Sequence, residues 1–154
     1  MARAPFQVLV LPYRLNNGGE AEFAVFKRSD DGYWQFIAGG GEANENPIET
    51  ARRETWEESG LSKESDFVRL DSMATVPVEY VAGTFLWGDD IFVVPEHAFA
   101  VDAGQQTIRL SDEHTEYAWC GFQDAMGKLK WDSNRNALWE LNERLERAPL
   151  SERS

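Results

Sequence analysis

Residues Gly39 to Leu61 read GGGEANENPIETARRETWEESGL, and their interior is the clearest helix of the chain. Asn46 is an N-cap, Pro47 takes the first helical position, Glu49 completes a capping-box pattern and Gly60 stops the run. The expected helix is therefore 47–59. At 100° per residue, Glu54, Glu57 and Glu58 fall within a sector of roughly 100° on one face, so three carboxylates should converge. Ile48, Ala51 and Thr55 lie on the adjacent sector, which can pack on a sheet, so the acids border the buried face. Crowded carboxylates raise one another's pKa unless a cation intervenes, and a hard divalent ion with oxygen ligands is the natural occupant.

Upstream, Phe6 to Arg14 and Phe23 to Arg28 are rich in Val, Leu and Phe, with Asn16-Asn17-Gly18-Gly19 between them. This predicts a hairpin, with Pro12 marking an edge or a bulge. Tyr33 to Ile37 is expected as a third strand running into Gly39-Gly40-Gly41, where glycine lets the backbone bend sharply. Tyr33, Trp34 and Phe36 alternate as a strand with apolar surface on both faces, which favours core packing over base stacking. Downstream, Phe67 to Val81 and Ile91 to Val101 read as longer β segments, the second broken by Pro95, followed by a short strand from Glu116 to Cys120 and a short helix over 123–129. A last helix begins at Asp132-Ser133, carries Leu138, Leu141 and Leu145 on one face, and ends before Pro149. The order implies an α+β (mixed α/β) layer fold, with one domain over 1–148 and a frayed tail over 149–154.

Fifteen Lys and Arg against 27 Asp and Glu give a formal charge of -12, which repels phosphate backbones and anionic lipid. No nucleic-acid polymer and no membrane is expected as a partner. A small anionic ligand would have to meet a cation first. Cys120 is the one cysteine, set among Tyr117, Ala118 and Trp119, and reads as an inert buried thiol in a reducing, cytoplasmic setting. The apolar run near the N-terminus is too short for a signal or a membrane span. The chain has neither GxxxxGK[ST] nor GxGxxG, which removes support for P-loop and Rossmann chemistry.

The Gly39–Leu61 stretch resembles the Nudix box, the signature of hydrolases that cleave nucleoside diphosphates linked to another group. Gly39, Glu45, Arg53, Glu54, Glu57, Glu58, Gly60 and Leu61 match in register, and only Thr55 departs, at an apolar slot. At about 7% usage each, the fixed identities would recur by chance with a probability of roughly one in a million, which weighs against a merely solvated acidic face. The resemblance implies a Nudix-like α/β/α sandwich, a mixed sheet flanked by helices with the Nudix helix at about 47–59. It also implies Mg2+ or Mn2+ bound by Glu54, Glu57 and Glu58, with Gly39, Glu45 and Gly60 as structural positions and Arg53 orienting a carboxylate.

The flanks are similar to the dihydroneopterin triphosphate and dATP pyrophosphohydrolase branch. The segments concerned are Lys27 to Asp31 with Tyr33-Trp34-Gln35, then Asp112-Glu113-His114 before Tyr117-Ala118-Trp119, and Trp131 to Arg135. By that resemblance Arg28 contacts substrate, Glu113 adds a metal ligand, the Ser133-Asn134-Arg135 helix start lies near the substrate, and Ala38, Gly39 and Gly40 line it. Ala38 stands where the branch tends to have a hydroxyl, and the glycine run replaces a less flexible loop. Asn44, where many members have glycine, suits a left-handed conformation. His114 is expected as a structural residue. The implied reaction is metal-dependent hydrolysis of a phosphoanhydride in a nucleoside-triphosphate-like substrate, a dNTP or dihydroneopterin triphosphate, releasing pyrophosphate, with Glu57 or Glu113 as proton acceptor. Dinucleoside polyphosphates or nucleotide sugars as substrates, and a non-catalytic nucleotide-binding module, are the alternatives. The sequence leaves a homodimer open.

Overall fold

A computed structural model describes residues 2–147. The expected tail over 149–154 lies outside them. The apolar runs Val8-Leu9-Val10-Leu11 and Phe23-Ala24-Val25-Phe26 are buried along their whole length, as strands covered on both faces must be. They belong to β1 (Arg3–Leu15) and β2 (Ala21–Arg28), joined by a turn in which Asn16 Oδ1 accepts from the N–H groups of Gly18 and Glu20. The remaining elements are β3 (Trp34–Gln35), β4 (Ile37–Glu42), α1 (Pro47–Ser59), β5 (Phe67–Pro77), α2 (Val78–Ala82), β6 (Val93–Asp102), β7 (His114–Cys120), α3 (Phe122–Lys128) and α4 (Asp132–Arg147).

The seven strands form one mixed sheet in the order β3-β2-β1-β6-β5, with β4 also on β1 and β7 also on β2. β1 is parallel to β6, and it changes partner on its other side, from β4 at residues 3–10 to β2 at residues 13–15. One face packs Leu9, Leu11, Phe23, Val25, Ala98 and Ala100 against α3 and α4 through Ala125, Leu138 and Leu141. The other packs Val8, Val10, Phe26, Phe99 and Val101 against Ala51 and Ile48 of α1. This is the expected α/β/α sandwich. No helix among the described residues is long and apolar enough to cross a membrane.

Several local expectations are corrected. Gly39-Gly40-Gly41 is no bend: the three lie in β4, paired with Val8 and Gln7 and the bulged start of β1, and none has a positive φ. The single strand expected at Tyr33 to Ile37 is split at Phe36, because β3 pairs with β2 and β4 with β1. Pro12 sits within the central strand, in the interval where β1 exchanges β4 for β2, and so removes no ladder bond that either partner needs. Pro95 does not break β6, since it pairs with Thr75 just beyond the stretch of β6 that meets β1. The segment expected as strand up to Val81 turns helical at Val78, after Pro77.

Asn134, three per cent exposed, accepts the buried Phe36 N–H at 2.8 Å where β3 gives way to β4. Removing that acceptor orphans a buried donor. Asn134→Ala should therefore lose about 1–3 kcal/mol in urea unfolding; a midpoint equal to the parent's would assign the Phe36 N–H another partner.

Candidate active site

The acids around α1 are organised by one guanidinium. Arg53 donates from Nε to Glu45 Oε2 at 2.8 Å and from Nη2 to Glu45 Oε1 and to the Gly40 carbonyl, both at 3.0 Å. Its Nη1 donates to Glu54 Oε1 at 3.0 Å and to Glu57 Oε2 at 3.2 Å. Glu45 also accepts from the Thr50 hydroxyl and the Glu42 N–H. The Arg53 hydrogen bonds, above all, bring its carboxyl down to about 2. Asn44, at φ 75°, makes the left-handed step that carries the chain into Glu45, as its side chain permits. The helix keeps its expected bounds: Asn46 and Glu49 form a reciprocal capping box, and Gly60 closes the helix at φ 74°.

Glu58 is three per cent exposed, and neither of its oxygens has a hydrogen-bond partner. Its neighbours are the Glu54 and Glu113 carboxyl groups, which are acceptors like itself. Burial first, then these two acids, push its pKa far above the carboxylate range. Burial also raises Glu54, opposed by Glu58 and Arg53. His114 is buried beside them, 5.3 Å from the Phe26 ring and with Nδ1 3.7 Å from Glu58 Oε1. Burial lowers its pKa, and its two unpartnered ring nitrogens stand beside the unpartnered Glu58 carboxyl.

Glu113 reaches this group through the end of β2. The register slips between Lys27 and Arg28, which sets Arg28 opposite His114. The Ser29 N–H then donates to the Glu113 carbonyl at 2.9 Å, and the Ser29 hydroxyl donates to the Asp112 and Glu113 carbonyls. Arg28 forks onto Asp30 with two bonds of 2.8 Å, and that hydrogen bonding leads the rise in its pKa, with Glu113 and Glu58 adding to it. Arg28 is thus half-buried and held by its neighbour Asp30, with Glu113 and Glu58 close enough to act on its charge.

The expected convergence of Glu54, Glu57 and Glu58 is realised only in part. Glu57 is exposed and turned to Arg53, the nearest cation, while Glu58 turns inward to Glu54 and Glu113. Among the described residues no three His, Cys, Asp or Glu side chains stand together as they would around a metal ion. Gly39 abuts the Glu54 carboxyl so closely that an added Cβ would overlap it, and Gly40 bears the exposed Arg3 guanidinium in the same way. Ala38 and Ser133 lie on the opposite face of the sheet, toward α4. A larger polar groove of about 550 Å3 beside Arg52, Lys63 and Phe67 includes none of Glu54, Glu58 and Glu113.

The sequence reading missed Arg3, the buried position of His114, and Glu96. Glu96 falls in the alternating series Val94, Glu96, Ala98, Ala100, and one acid in an otherwise apolar i, i+2 run was the available signal. Cys120 is buried with its thiol pushed up to about 11, chiefly by burial, as an inert core group should be.

The NUDIX domain family matches residues 6–140. The chain belongs to the Nudix family. A dihydroneopterin triphosphate diphosphatase of Haemophilus influenzae is 27% identical over 117 residues, 74% of each chain. A Listeria monocytogenes protein assigned as a Nudix hydrolase superposes with a TM-score of 0.84 at 41% identity, covering 94% of this chain and 96% of that one. The dihydroneopterin triphosphate pyrophosphohydrolase of Escherichia coli superposes at 0.74 with 20% identity, covering 94% and 99%. With these relatives the protein is a Nudix pyrophosphohydrolase, a hydrolase of acid anhydrides.

Gly39→Ala tests the closeness of β4 and α1. The added methyl must displace the Glu54 carboxyl, and a misplacement of about 1 Å can cost roughly 100-fold in rate. We expect a kcat loss of that order with native circular dichroism. Unchanged kcat would show that Glu54 is not needed where it stands.

Proposed function

We propose that the protein hydrolyses a phosphoanhydride of a nucleoside-triphosphate-like substrate, a dNTP or dihydroneopterin triphosphate, with Mg2+ or Mn2+ and with release of pyrophosphate. The observation that carries this reading is Glu58: a buried carboxyl without a donor, between two further carboxyls. Burying such a charge is costly unless it is paired or binds a metal. The donor set is all oxygen and anionic, which suits a hard divalent ion. Glu54, Glu58 and Glu113, joined by Glu57, would hold it, and bound there it supplies a Lewis acid for the phosphoryl oxygen and lowers the pKa of a water.

The chain's own groups divide the remaining work. Arg53 holds Glu54 and Glu57 in place from the Glu45 side. Glu57 and Glu113 are exposed carboxylates, and the proton of the attacking water goes to one of them. Arg28, at the end of β2 beside Glu113, faces the incoming phosphates. Over Gly39 and Gly40 the phosphates would meet the Glu54 carboxyl and the cationic Arg3.

The reading is tested by pyrophosphate and phosphate release across nucleoside and pterin triphosphates, dinucleoside polyphosphates and nucleotide sugars, with Mg2+ and with chelator. Full turnover in chelator would sink the metal role. Glu57→Gln and Glu58→Gln should lower kcat by orders of magnitude and shrink the stabilisation that Mg2+ confers, and Glu58→Gln should leave the metal-free protein at least as stable as the parent, since burial makes Glu58 take up a proton to fold at neutral pH and an amide need not. Glu49→Gln keeps the capping oxygen and should be nearly silent. Parental rates in both site variants would leave the acids a solvated face.

Arg28→Ala should raise KM more than it lowers kcat if the guanidinium holds phosphate equally in ground and transition states. An unchanged KM and kcat would leave Arg28 only its bond to Asp30.

A further inference from the structure

The sheet face turned away from α1 carries a second polar feature. Val94, Glu96, Ala98 and Ala100 alternate along β6 toward α4, and Glu96, at seven per cent exposure, is the one acid among them. It borders a cavity of about 140 Å3 between the sheet and the first turn of α4, with Leu9, Ala74 and Ala98 beneath and Ser133 and Asn136 above. Among the described ion pairs none involves Glu96. The Ser133 hydroxyl is its one hydrogen-bonding neighbour, and it opposes a burial that raises the carboxyl to about 7. Apart from that hydroxyl, the residues that share the cavity with Glu96 offer its carboxyl no charged partner.

The cavity is in reach of the acids on α1. Gly40 pairs with Gln7, and Gln7 with Glu96, so Glu96 stands two strands across from Gly40 in one row of the sheet, about 10 Å away at the usual strand spacing. β4 has β1 as its only strand partner among the described residues, so no strand covers its outer edge, where a ligand would pass from one face to the other beside the Arg53 bond to the Gly40 carbonyl. A cavity of about 150 Å3 is known to hold a benzene ring. One ring of a bicyclic heterocycle fits here, with the other at the open side beside the exposed Asn136.

The geometry points to Glu96 as the specificity-determining residue of the substrate proposed above, accepting two adjacent N–H donors from a 2-amino-lactam edge, as guanine and pterin present. This assignment rests on the hydrolase reading for its substrate. A carboxylate has two oxygens in one plane and no donor, and two parallel N–H groups match it bidentately. Guanine and pterin offer a ring N–H beside an exocyclic NH2. Adenine and cytosine place a ring acceptor there, and thymine has one N–H between carbonyls. Hypoxanthine keeps the shape of guanine and lacks only the amino group.

The test pairs equilibrium binding with turnover. Calorimetric titration with GMP, IMP and AMP in Mg2+ should show GMP bound about 10- to 100-fold tighter than IMP, the range for one hydrogen bond to a charged group. The kcat/KM ratio of GTP to ITP should follow it. In Glu96→Gln, with native circular dichroism, both ratios should fall to within about threefold, because the amide keeps one acceptor and turns a donor toward the amino group. Equal binding of GMP and IMP by the parent overturns the assignment. So does a preference for AMP, which a carboxylic acid donating to a ring nitrogen would give, and so does a ratio that survives in Glu96→Gln. Discrimination in binding without Mg2+-dependent pyrophosphate release defeats the hydrolase reading alone, and release with equal GTP and ITP efficiency defeats the Glu96 assignment alone. Dihydroneopterin triphosphate and GTP carry the same edge, and the larger kcat/KM identifies the source.

Discussion

The site depends on the fork between Arg53 and Glu45. Glu45 lies outside the helix, Gly40 belongs to β4, and Glu54 and Glu57 belong to α1, yet one guanidinium bonds to all four. Its planar set of five donors allows this, where an ammonium with three would leave the arrangement underdetermined. Such a partly buried network adds little net stability once desolvation is counted, although removing one partner is costly. Its value is geometric. It fixes which way the acids of α1 turn, and so which remain available to a ligand.

Close packing on both sides of β4 explains the glycines. In sequence, three consecutive glycines before a helix signal a flexible bend, because the permissive backbone is what the residue type advertises. In the structure they are extended and paired, and what matters is the missing side chain. Glu54, Arg3 and Phe6 lie where the Cβ atoms of Gly39, Gly40 and Gly41 would be. Close approach between β4 and α1 is a property of two segments at once, and no local pattern reports it.

The division between what was legible and what was not follows the range of the interactions. Helix 47–59 was readable to the residue because its cap, its proline and its terminal glycine act within a few positions. The family resemblance was readable because the spacing of Gly39, Glu45, Arg53, Glu54, Glu57, Glu58 and Gly60 is itself the signal. Pro12 and Pro95 misled because their cost depends on which neighbour needs the missing N–H, and strand order decides that. The structural task of Asn134 was not legible, because its amide oxygen serves the Phe36 N–H almost a hundred residues earlier. Glu57 was placed on the correct helix face, and the side-chain torsions that turn it to Arg53 are beyond any sector argument.

The alternation of a strand turns these details into a division of labour. Along β4, Gly39 faces the acids of α1 while Ala38 and Gly40 belong to the side that α4 covers. The carboxyl groups of α1 and the cavity beside Glu96 are thereby kept on opposite faces of the sheet. In the reading proposed above, a substrate would meet both by passing the outer edge of β4, with which no further strand among the described residues pairs. The same alternation divides the glycines: the missing side chain of Gly39 lets Glu54 approach on one face, and that of Gly40 leaves room for Arg3 on the other.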